Sequence, residues 1–471
     1  MTQLHDLTAL EQAREIKRGA VTSVELAEHY LRRSESLGDA VGAFISITAD
    51  LALRQARAAD QALAAGADTS PLHGVVAPIK DLNFMAGVRV RMGSRVVDMV
   101  PEADDFVTGR MRAAGLVCTG TTNTPEFGFP CYTENLIAAP ARTPWDLSRS
   151  AGGSSGGAAA AVSTGLAPLA QGSDGGGSIR IPASVCGLVG IKPSRGRVSN
   201  GPFGDPVGEL AVQGPLARTV ADAAALLDVL QGSAPGDPFV APPQPAGDSF
   251  TQAAGREPGR LRIGRFREPV IADTELDPAV IEAFEAATAL LVDLGHEVVD
   301  VARPFSPDVV PLFEAVWFVG AQLLPVAPER QAELTPMTRW LREQGAGPTG
   351  ADIAAAVWQM RQLTRAAVHA MADVDLVLTP TLAKLPSPVG GLRDDDDPAG
   401  DFAAQKEFTP FTSPYNISGQ PAISVPLHWT EDGLPVGVQI IGRPFGESTM
   451  ISVAAQLEQA RPWTQRRHEL W

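Results

Sequence analysis

Residues 150–157 read SAGGSSGG and residues 172–182 read GSDGGGSIRIP, and these two glycine-framed segments are the most informative part of the chain. Glycine admits backbone conformations that other residues avoid, and it removes side chains that would keep a ligand away from backbone N–H groups. The successive N–H groups from Gly175 to Ser178 could therefore form a nest that binds an anion. In an enzyme of acyl transfer such a nest is an oxyanion hole. The residues alone also leave open a phosphate cradle or a tight turn.

A nucleotide cradle fits the two segments poorly. Neither segment has a Gly-Lys-Ser/Thr ending, and no Gly-x-Gly-x-x-Gly run follows a strand. The wider stretch 152–201 is also no flexible linker, because apolar residues typical of strands and helices lie among its glycines and serines. Close approach of backbone segments is the better explanation of the glycines.

The surrounding pattern predicts an α/β architecture. Thr22 followed by Glu25 is a capping-box pattern that opens a helix. Short apolar runs at 75–79 and 116–118, each followed by polar turn residues, predict buried strands with loops at their ends. Residues 431–433 lie between two apolar runs and predict a hairpin. Strands and helices are thus mixed along the chain, which is typical of α/β proteins.

The composition is that of an ordinary globular protein. Of 471 residues, 44% are hydrophobic and 20% are charged. The net charge of −16 repels phosphate backbones and anionic lipid, and no run of Lys and Arg offsets it, so we expect no nucleic-acid or membrane partner. Residues 1–19 lack the apolar core of a secretory signal, and the weakly polar stretch 156–170 is too short to span a membrane. We therefore expect a cytoplasmic location.

The cysteines and histidines do not indicate a metal site. The cysteines are sparse and show no metal spacing, which fits buried thiols in a reducing compartment; they are Cys118, Cys131 and Cys186. The seven histidines are scattered, with no pair at i, i+4 around a Glu. We predict neither a metal nor a cofactor.

Taken together, these segments resemble the amidase signature family. Its members share an upstream lysine at a strand end, a Gly-Gly-Ser-Ser-Gly-Gly loop and a downstream Gly-Ser-Asp-x-Gly-Gly-Ser-Ile-Arg-x-Pro loop. All three occur here in the family's order. The lysine is Lys80, which lies 74 residues before Ser154 of the first loop. Ser154 in turn lies 24 residues before Ser178 of the second loop. Residues 187–194 (GLVGIKPS) and 416–424 (NISGQPAIS) extend the likeness to roughly residues 65–460.

The resemblance implies the amidase signature fold, an α/β domain with a central mixed sheet flanked by helices on both faces. We expect a single large domain over residues 1–471. Its parts are a helical segment 1–62, a catalytic core 65–232 with the Lys and Ser loops, a Pro/Gly-rich linker 233–259, and a second half 260–471 that completes the sheet and substrate pocket.

The resemblance also implies roles for individual residues. Ser178 is the nucleophile that forms an acyl-enzyme, Ser154 relays protons, and Lys80 is the base. The resemblance also implies that the peptide bond between Gly153 and Ser154 is cis. A lysine acts as a base only when neutral, which burial at the end of an apolar strand favours. The oxyanion hole comprises the N–H groups of Gly175, Gly176, Gly177 and Ser178. The residues that support these loops are Ser155, Asp174 and Arg180.

One position departs from the family pattern. Many members have a β-branched residue where this chain has Gly175. Since only the backbone N–H of this position would be used, we expect little loss beyond a looser oxyanion hole.

The implied activity is that of a bacterial-type amidase. Such an enzyme hydrolyses a carboxamide to a carboxylic acid and ammonia or an amine, as a hydrolase of carbon–nitrogen bonds other than peptide bonds in linear amides. We expect a small-molecule amide with an apolar or aryl group, in a pocket that includes Phe129, Cys131 and Tyr132. The aromatic residues fit ordinary core positions about as well.

Other functions remain open at this stage. The runner-up is the glutamine-hydrolysing subunit of a tRNA-dependent amidotransferase, which usually carries an acidic residue shortly before the Asn-x-x-Gly-x-Pro motif. Residues 408–414 (FTPFTSP) carry none, and Glu407 lies one or two positions out. A binding protein without catalysis is disfavoured because all three reacting residues are present. The sequence leaves open a homodimer, and the acidic run 394–397 is most simply a solvated loop, with a mobile lid as the weaker alternative.

Overall fold

The computed structural model describes residues 3–204 and 207–471, and its strands form two sheets. We number the strands in chain order. They are β1 (Phe44–Ile47), β2 (Ile79–Lys80), β3 (Gly120–Thr122), β4 (Leu169–Asp174), β5 (Val189–Lys192), β6 (Val212–Ala217), β7 (Arg262–Arg265), β8 (Glu297–Asp300), β9 (Leu376–Pro380), β10 (Ala422–Trp429) and β11 (Pro435–Gly442). The larger sheet has the spatial order β4-β6-β5-β10-β11-β9-β7-β8, and the smaller one has the order β1-β3-β2.

The large sheet is mixed and joins both halves of the chain. The pairs from β4 through β9 are antiparallel, whereas β7 lies parallel to both β9 and β8. Strand β5, from the first half, pairs with β10, from the second half, through the register Ile191 opposite Ile423. The sheet is therefore continuous across the segment 233–259.

The helices surround this sheet. They are α1 (Ala9–Lys17), α2 (Ser23–Leu37), α3 (Ala49–Ala64), α4 (Phe106–Ala113), α5 (Gly156–Ser163), α6 (Arg180–Cys186), α7 (Val220–Leu230), α8 (Phe250–Ala254), α9 (Pro278–Asp293), α10 (Val309–Gln322), α11 (Pro336–Gly345), α12 (Gly350–Ala370), α13 (Pro398–Phe408), α14 (Pro414–Ser418) and α15 (Glu447–Ala460). Over residues 3–204 and 207–471, none of them combines the length and apolarity that a membrane crossing needs.

Strand β11 shows why helices cover both faces of the sheet. Successive side chains of a strand point to opposite faces. Val436, Val438 and Ile440 pack into the core that includes residues of α7 and α15. On the other face, the Gly437 N–H donates to the Ser184 hydroxyl of α6 at 3.0 Å. The predicted mixed sheet with helices on both faces is confirmed.

Several local predictions can be compared with the structure. The Thr22 and Glu25 capping box opens α2, and residues 431–433 connect β10 to β11. The run 75–79 is less regular than predicted, because strand structure begins only at Ile79. Pro78, directly before it, has no N–H to donate to a neighbouring strand.

Two of the predicted chain segments contain unexpected elements. The sequence predicts a helical segment over 1–62, but strand β1 lies between α2 and α3. The expected linker 233–259 contains helix α8. Phe250 of this helix is fully buried, and the Phe250 backbone N–H donates to the Asp228 carboxylate at 2.8 Å. This part of the segment is therefore packed against the domain.

Helix α5 follows the segment SAGGSSGG directly and is buried along its whole length. A Cβ atom added at Gly157 would lie 2.2 Å from the Asn123 backbone nitrogen and 2.5 Å from the Ala43 carbonyl oxygen. Both neighbours are backbone atoms that cannot turn aside. The glycine thus sets how closely α5 approaches the end of β3.

We predict that Gly157→Ala lowers the free energy of unfolding by roughly 1–3 kcal/mol, the usual range for overpacking a core. The matched control is Gly350→Ala at the start of α12, where an added Cβ would meet no atom within 4 Å. Thermal and denaturant unfolding of both variants check the prediction. Equal stability of the two variants would contradict the close-packing argument.

Candidate active site

Strand β2 places Lys80 beside the first serine segment. The Lys80 backbone N–H donates to the Gln171 side-chain oxygen of β4 at 2.9 Å, which ties the small sheet to the large one. The Lys80 Nζ atom lies 2.7 Å from Ser154 Oγ and 3.0 Å from Ser173 Oγ. The peptide bond from Gly153 to Ser154 is cis, as the resemblance implied.

The Lys80 ammonium is in an environment that opposes its charge. Its side chain is fully buried, and this burial lowers the pKa of Lys80 to about 7, although the negative charge of Asp174 acts in the opposite direction. Desolvation disfavours the charged form of any buried amine. A large share of Lys80 is therefore neutral near pH 7 and can accept a proton.

Ser178 lies on the turn between β4 and α6 and is only 6% exposed. The two serine segments are joined by their backbones, since the Ser155 N–H donates to the Ser178 carbonyl oxygen at 3.1 Å. Ser155 Oγ also donates to the Ser173 carbonyl oxygen at 3.1 Å. Among the described residues, the Ser178 hydroxyl has no hydrogen-bond partner. Ser154 Oγ is therefore hydrogen-bonded to Lys80 Nζ and not to the Ser178 hydroxyl.

The turn 175–178 offers fewer free N–H groups than predicted. The Gly177 N–H donates to Asp174 Oδ1 at 2.8 Å, and the Ile179 N–H donates to Asp174 Oδ2 at 3.2 Å. Gly177 is therefore engaged inside the turn, because the buried carboxylate needs donors. The N–H groups of Gly175, Gly176 and Ser178 make no hydrogen bond within the described chain. They are the groups that can face an oxyanion.

Asp174 and Arg180 form a fully buried ion pair below this turn. Arg180 Nε donates to Asp174 Oδ2 at 2.9 Å, and Nη2 donates to Oδ1 at 2.8 Å. The remaining guanidinium hydrogens reach the Thr412 carbonyl oxygen at 2.8 Å, Gln439 Oε1 at 2.7 Å and Asn416 Oδ1 at 2.7 Å. All five N–H donors of the guanidinium are satisfied. The pair connects the turn to α14 and β11.

The charge state of Asp174 follows from these contacts. Burial by itself would raise the pKa of the Asp174 carboxyl, but the charge and hydrogen bonds of Arg180, the charge of Lys192 and the hydrogen bond of Asn416 together hold this pKa well below its usual range. Asn416 adds hydrogen bonds from Nδ2 to the Asp174 carbonyl oxygen at 2.8 Å and to Oδ1 at 2.9 Å. Asp174 is therefore an ionised support for the loop, with no proton to exchange.

Sequence reasoning missed Thr412 and Gln439. Gln439 is the only polar side chain in the strand segment 435–442 (PVGVQIIG), and an isolated polar residue in a buried strand signals a buried partner. Thr412 gave no comparable signal. Its hydroxyl donates to the Gly176 carbonyl oxygen at 2.6 Å and so fixes the turn from the opposite side.

Two cavities open at the serine segments. The Ser178 cavity is bordered by Ser178 and Gly176 together with Phe129, Cys131, Phe313 and Trp317. The Ser154 cavity is bordered by Ser154, Ser173 and Gly175 together with Phe127, Phe129 and Trp317. Two of the expected pocket residues, Phe129 and Cys131, thus lie at the Ser178 cavity.

The third expected pocket residue is placed differently. Tyr132 is buried behind Cys131, and its hydroxyl donates to the Asp401 carboxylate at 2.6 Å. It does not border either cavity described above. Its hydrogen bond instead holds the start of α13, since Asp401 also accepts from the Gln405 side chain at 2.7 Å.

The acidic run 394–397 and Glu407 border neither of the two cavities. In the run 394–397, Asp394 Oδ1 accepts from the backbone N–H groups of Asp396 and Asp397, each at 3.0 Å. The Asp397 side chain caps α13. Glu407 is half exposed and pairs with Lys384 at 3.0 Å. The run is thus an ordered turn that leads into a helix.

The chain is similar to known proteins over nearly its whole length. The Amidase family model matches residues 25–451. A putative amidase AmiB2 of Mycobacterium tuberculosis is 39% identical over 467 residues, which cover 99% of this chain and 98% of that protein. A 6-aminohexanoate-cyclic-dimer hydrolase of Paenarthrobacter ureafaciens is 36% identical over 492 residues, which cover 98% of this chain and 96% of that protein. A glutamyl-tRNA(Gln) amidotransferase component of Roseiflexus sp. is also 36% identical, over 498 residues that cover 100% of this chain and 99% of that one.

Solved structures are similar over the full length. A 6-aminohexanoate cyclic dimer hydrolase complexed with substrate superposes with a TM-score of 0.91 and 33% identity, covering 100% of both chains. A bacterial aryl acylamidase of the amidase signature enzymes superposes with a TM-score of 0.87 and 27% identity, covering 98% of each chain. With the family model, these likenesses show that the chain belongs to the amidase signature family of hydrolases that act on amides.

Proposed function

We propose that this protein hydrolyses linear carboxamides with an apolar or aryl group through an acyl-serine intermediate on Ser178. The observation that carries the proposal is the contact of 2.7 Å between Lys80 Nζ and Ser154 Oγ, in a fully buried position where the pKa of Lys80 is lowered to about 7. A neutral amine bonded to a hydroxyl, with a second serine hydroxyl on the adjoining turn, is suited to activating a nucleophile.

Acylation begins when Ser178 Oγ attacks the carbonyl carbon. The Ser178 proton passes to Ser154 Oγ, and the Ser154 proton passes to Lys80 Nζ. The Ser178 hydroxyl must turn toward Ser154 for this transfer, and catalytic hydrogen bonds often tighten only when substrate is in place. The carbonyl oxygen, now negative, would face the N–H groups of Gly175, Gly176 and Ser178.

Collapse of this intermediate breaks the carbon–nitrogen bond. Ser154 gives a proton to the leaving nitrogen and recovers one from Lys80, so a neutral amine departs and Lys80 is again a base. Water then attacks the ester on Ser178 and loses its proton along the same route. The carboxylic acid leaves as Ser178 regains its hydrogen, which restores the starting state.

The walls of the Ser178 cavity support the choice of substrate. The rings of Phe129, Phe313 and Trp317 border it, and such surfaces bind apolar or aryl groups. Glu314 also borders it, but its carboxylate is paired with Lys406 at 2.6 Å. A carboxylate that binds the α-ammonium group of glutamine must not already be paired with another cation. These observations favour the amidase over the amidotransferase alternative. The homodimer and the cytoplasmic location stay predictions.

We predict that a serine-directed phosphonylating reagent labels Ser178 and abolishes amide hydrolysis, because the reagent reports the attacking hydroxyl. Peptide mapping of the modified protein identifies the residue. Ser178→Ala should remain unlabelled and inactive. Labelling at another serine with activity lost in parallel would assign the attack elsewhere. Alkylation of Cys118 and Cys186, which border neither cavity, should leave turnover largely intact.

We predict that kcat/KM falls as the pH drops below about 7, since a lysine whose pKa lies near that value becomes protonated and can no longer accept the Ser178 proton. Lys80→Met keeps the apolar stem but removes the nitrogen, and it should slow acylation by roughly 10²- to 10⁴-fold. A pH series of the initial rate, on wild type and variant, checks both statements.

The control is Lys384→Met, which removes a half-exposed lysine paired with Glu407 and should not change the pH profile. Ser154→Ala tests the relay. The double variant Ser154→Ala, Lys80→Met should be no slower than either single variant, because both changes interrupt the same route of proton transfer. Near-wild-type turnover of Lys80→Met, with Ser178 still essential, would show that another group is the base.

We predict that the isolated protein hydrolyses anilides and other apolar amides much faster than glutamine, because no uncompensated acidic group among the described residues borders the Ser178 cavity. Parallel assays of free ammonia and free amine with matched substrate concentrations measure the ratio. A preference for glutamine, above all one that needs a partner protein, would support the amidotransferase alternative.

A further inference from the structure

The Ser178 cavity and the Ser154 cavity share one wall. Phe129 and Trp317 border both cavities, and their rings meet edge to face with centroids 5.3 Å apart. Trp317 also stacks on Phe313 at 5.1 Å, which holds the indole in place on α10. Trp317 is half buried and lies at the boundary of the two cavities, and we call it the partition.

Gly175 makes room for this partition. A Cβ atom added at Gly175 would lie 3.2 Å from Trp317 Cζ3 and 3.3 Å from Cη2, closer than ordinary van der Waals contact. The backbone of Gly175 lies outside the left-handed region, so conformational freedom does not explain the glycine. The missing side chain lets the indole lie against the turn.

The turn 175–178 crosses the boundary between the cavities. Gly175 borders the Ser154 cavity, whereas Gly176 and Ser178 border the Ser178 cavity. A carbonyl oxygen bonded to the N–H groups of Gly175 and Gly176 would lie at the boundary, with one substituent of the amide on each side. In the proposed mechanism the leaving nitrogen takes its proton from Ser154, so it would point into the Ser154 cavity.

We propose that Trp317, admitted by Gly175, separates an acyl cavity at Ser178 from a leaving-amine cavity at Ser154, and that the preferred substrates are N-substituted amides with apolar groups on both sides. The Ser154 cavity has its own apolar walls, including Phe127, Val207 and Leu323. A primary amide would leave that surface unused, because ammonia has no group to fill it. This inference rests on the proposed function.

The test uses amides that differ on one side only. The first pair is 3-phenylpropanamide and its N-benzyl derivative, since ammonia and benzylamine are leaving groups of similar basicity. The second pair is N-benzylacetamide and N-benzyl-3-phenylpropanamide. In wild type, kcat/KM should rise at least about 10-fold for the larger member of each pair, the effect of filling an apolar pocket.

Variants at the partition give the diagnostic result. Trp317→Ala should lower the N-benzyl preference several-fold, and Trp317→Phe should keep part of it. Gly175→Ala should lower the preference by displacing the indole, but it should have no such effect in the Trp317→Ala background. The matched comparison is Gly176→Ala, whose added Cβ meets Phe313 Cζ at 3.5 Å and does not touch Trp317. Its effect on the preference should be the same in both backgrounds.

The outcomes distinguish this inference from the proposed function. Equal rates for primary and N-benzyl amides, with Ser178 still labelled and essential, would overturn the partition and leave the amidase mechanism standing. Effects of Gly175→Ala and Trp317→Ala that simply add would also overturn it. Activity that survives Ser178→Ala would instead overturn the proposed function.

Discussion

A buried ion pair is the constraint on which the site depends. The Asp174 carboxylate and the Arg180 guanidinium are both fully buried, so every lone pair and every N–H needs a partner inside the protein. Satisfying them engages the Gly177 N–H, the Asn416 side chain and Gln439 of β11. Removing one member would leave an uncompensated charge, which destabilises proteins by about 3–5 kcal/mol. The shape of the nucleophile turn follows from this demand.

Part of the site was predictable because two short segments and a strand-end lysine resemble the amidase signature family. The resemblance predicted that Lys80 lies beside Ser154, whereas the residues alone also left open a phosphate cradle or a tight turn. The capping box at Thr22 and the hairpin at 431–433 were predictable because their signals are local. The hydrogen bond from the Gly177 N–H to Asp174 was not predictable, because it depends on which donors surround the buried Asp174 carboxylate. That requirement is visible only when Asp174 and its surroundings are placed together.

The cavities were predictable only in part, since their walls come from distant parts of the chain. Phe129 precedes the first serine segment, whereas Trp317 lies on α10. From the sequence, Gly175 suggested only a looser oxyanion hole. In the structure an indole lies against it, so the missing side chain has a packing partner. Polar residues inside apolar strands, such as Gln439, are the exception, because their pattern alone signals a buried contact.

The sheet that spans both halves has a consequence for synthesis on the ribosome. Arg180 is separated from Asn416 by 236 residues and from Gln439 by 259 residues. Strand β5 likewise has no partner on the edge that faces β10 until β10 has been synthesised. A nascent chain that has exposed both serine segments therefore still lacks the groups that hold them. Such distant pairings fold slowly, so the turn that carries the nucleophile is not fully supported in a growing polypeptide until β10 and β11 have been synthesised.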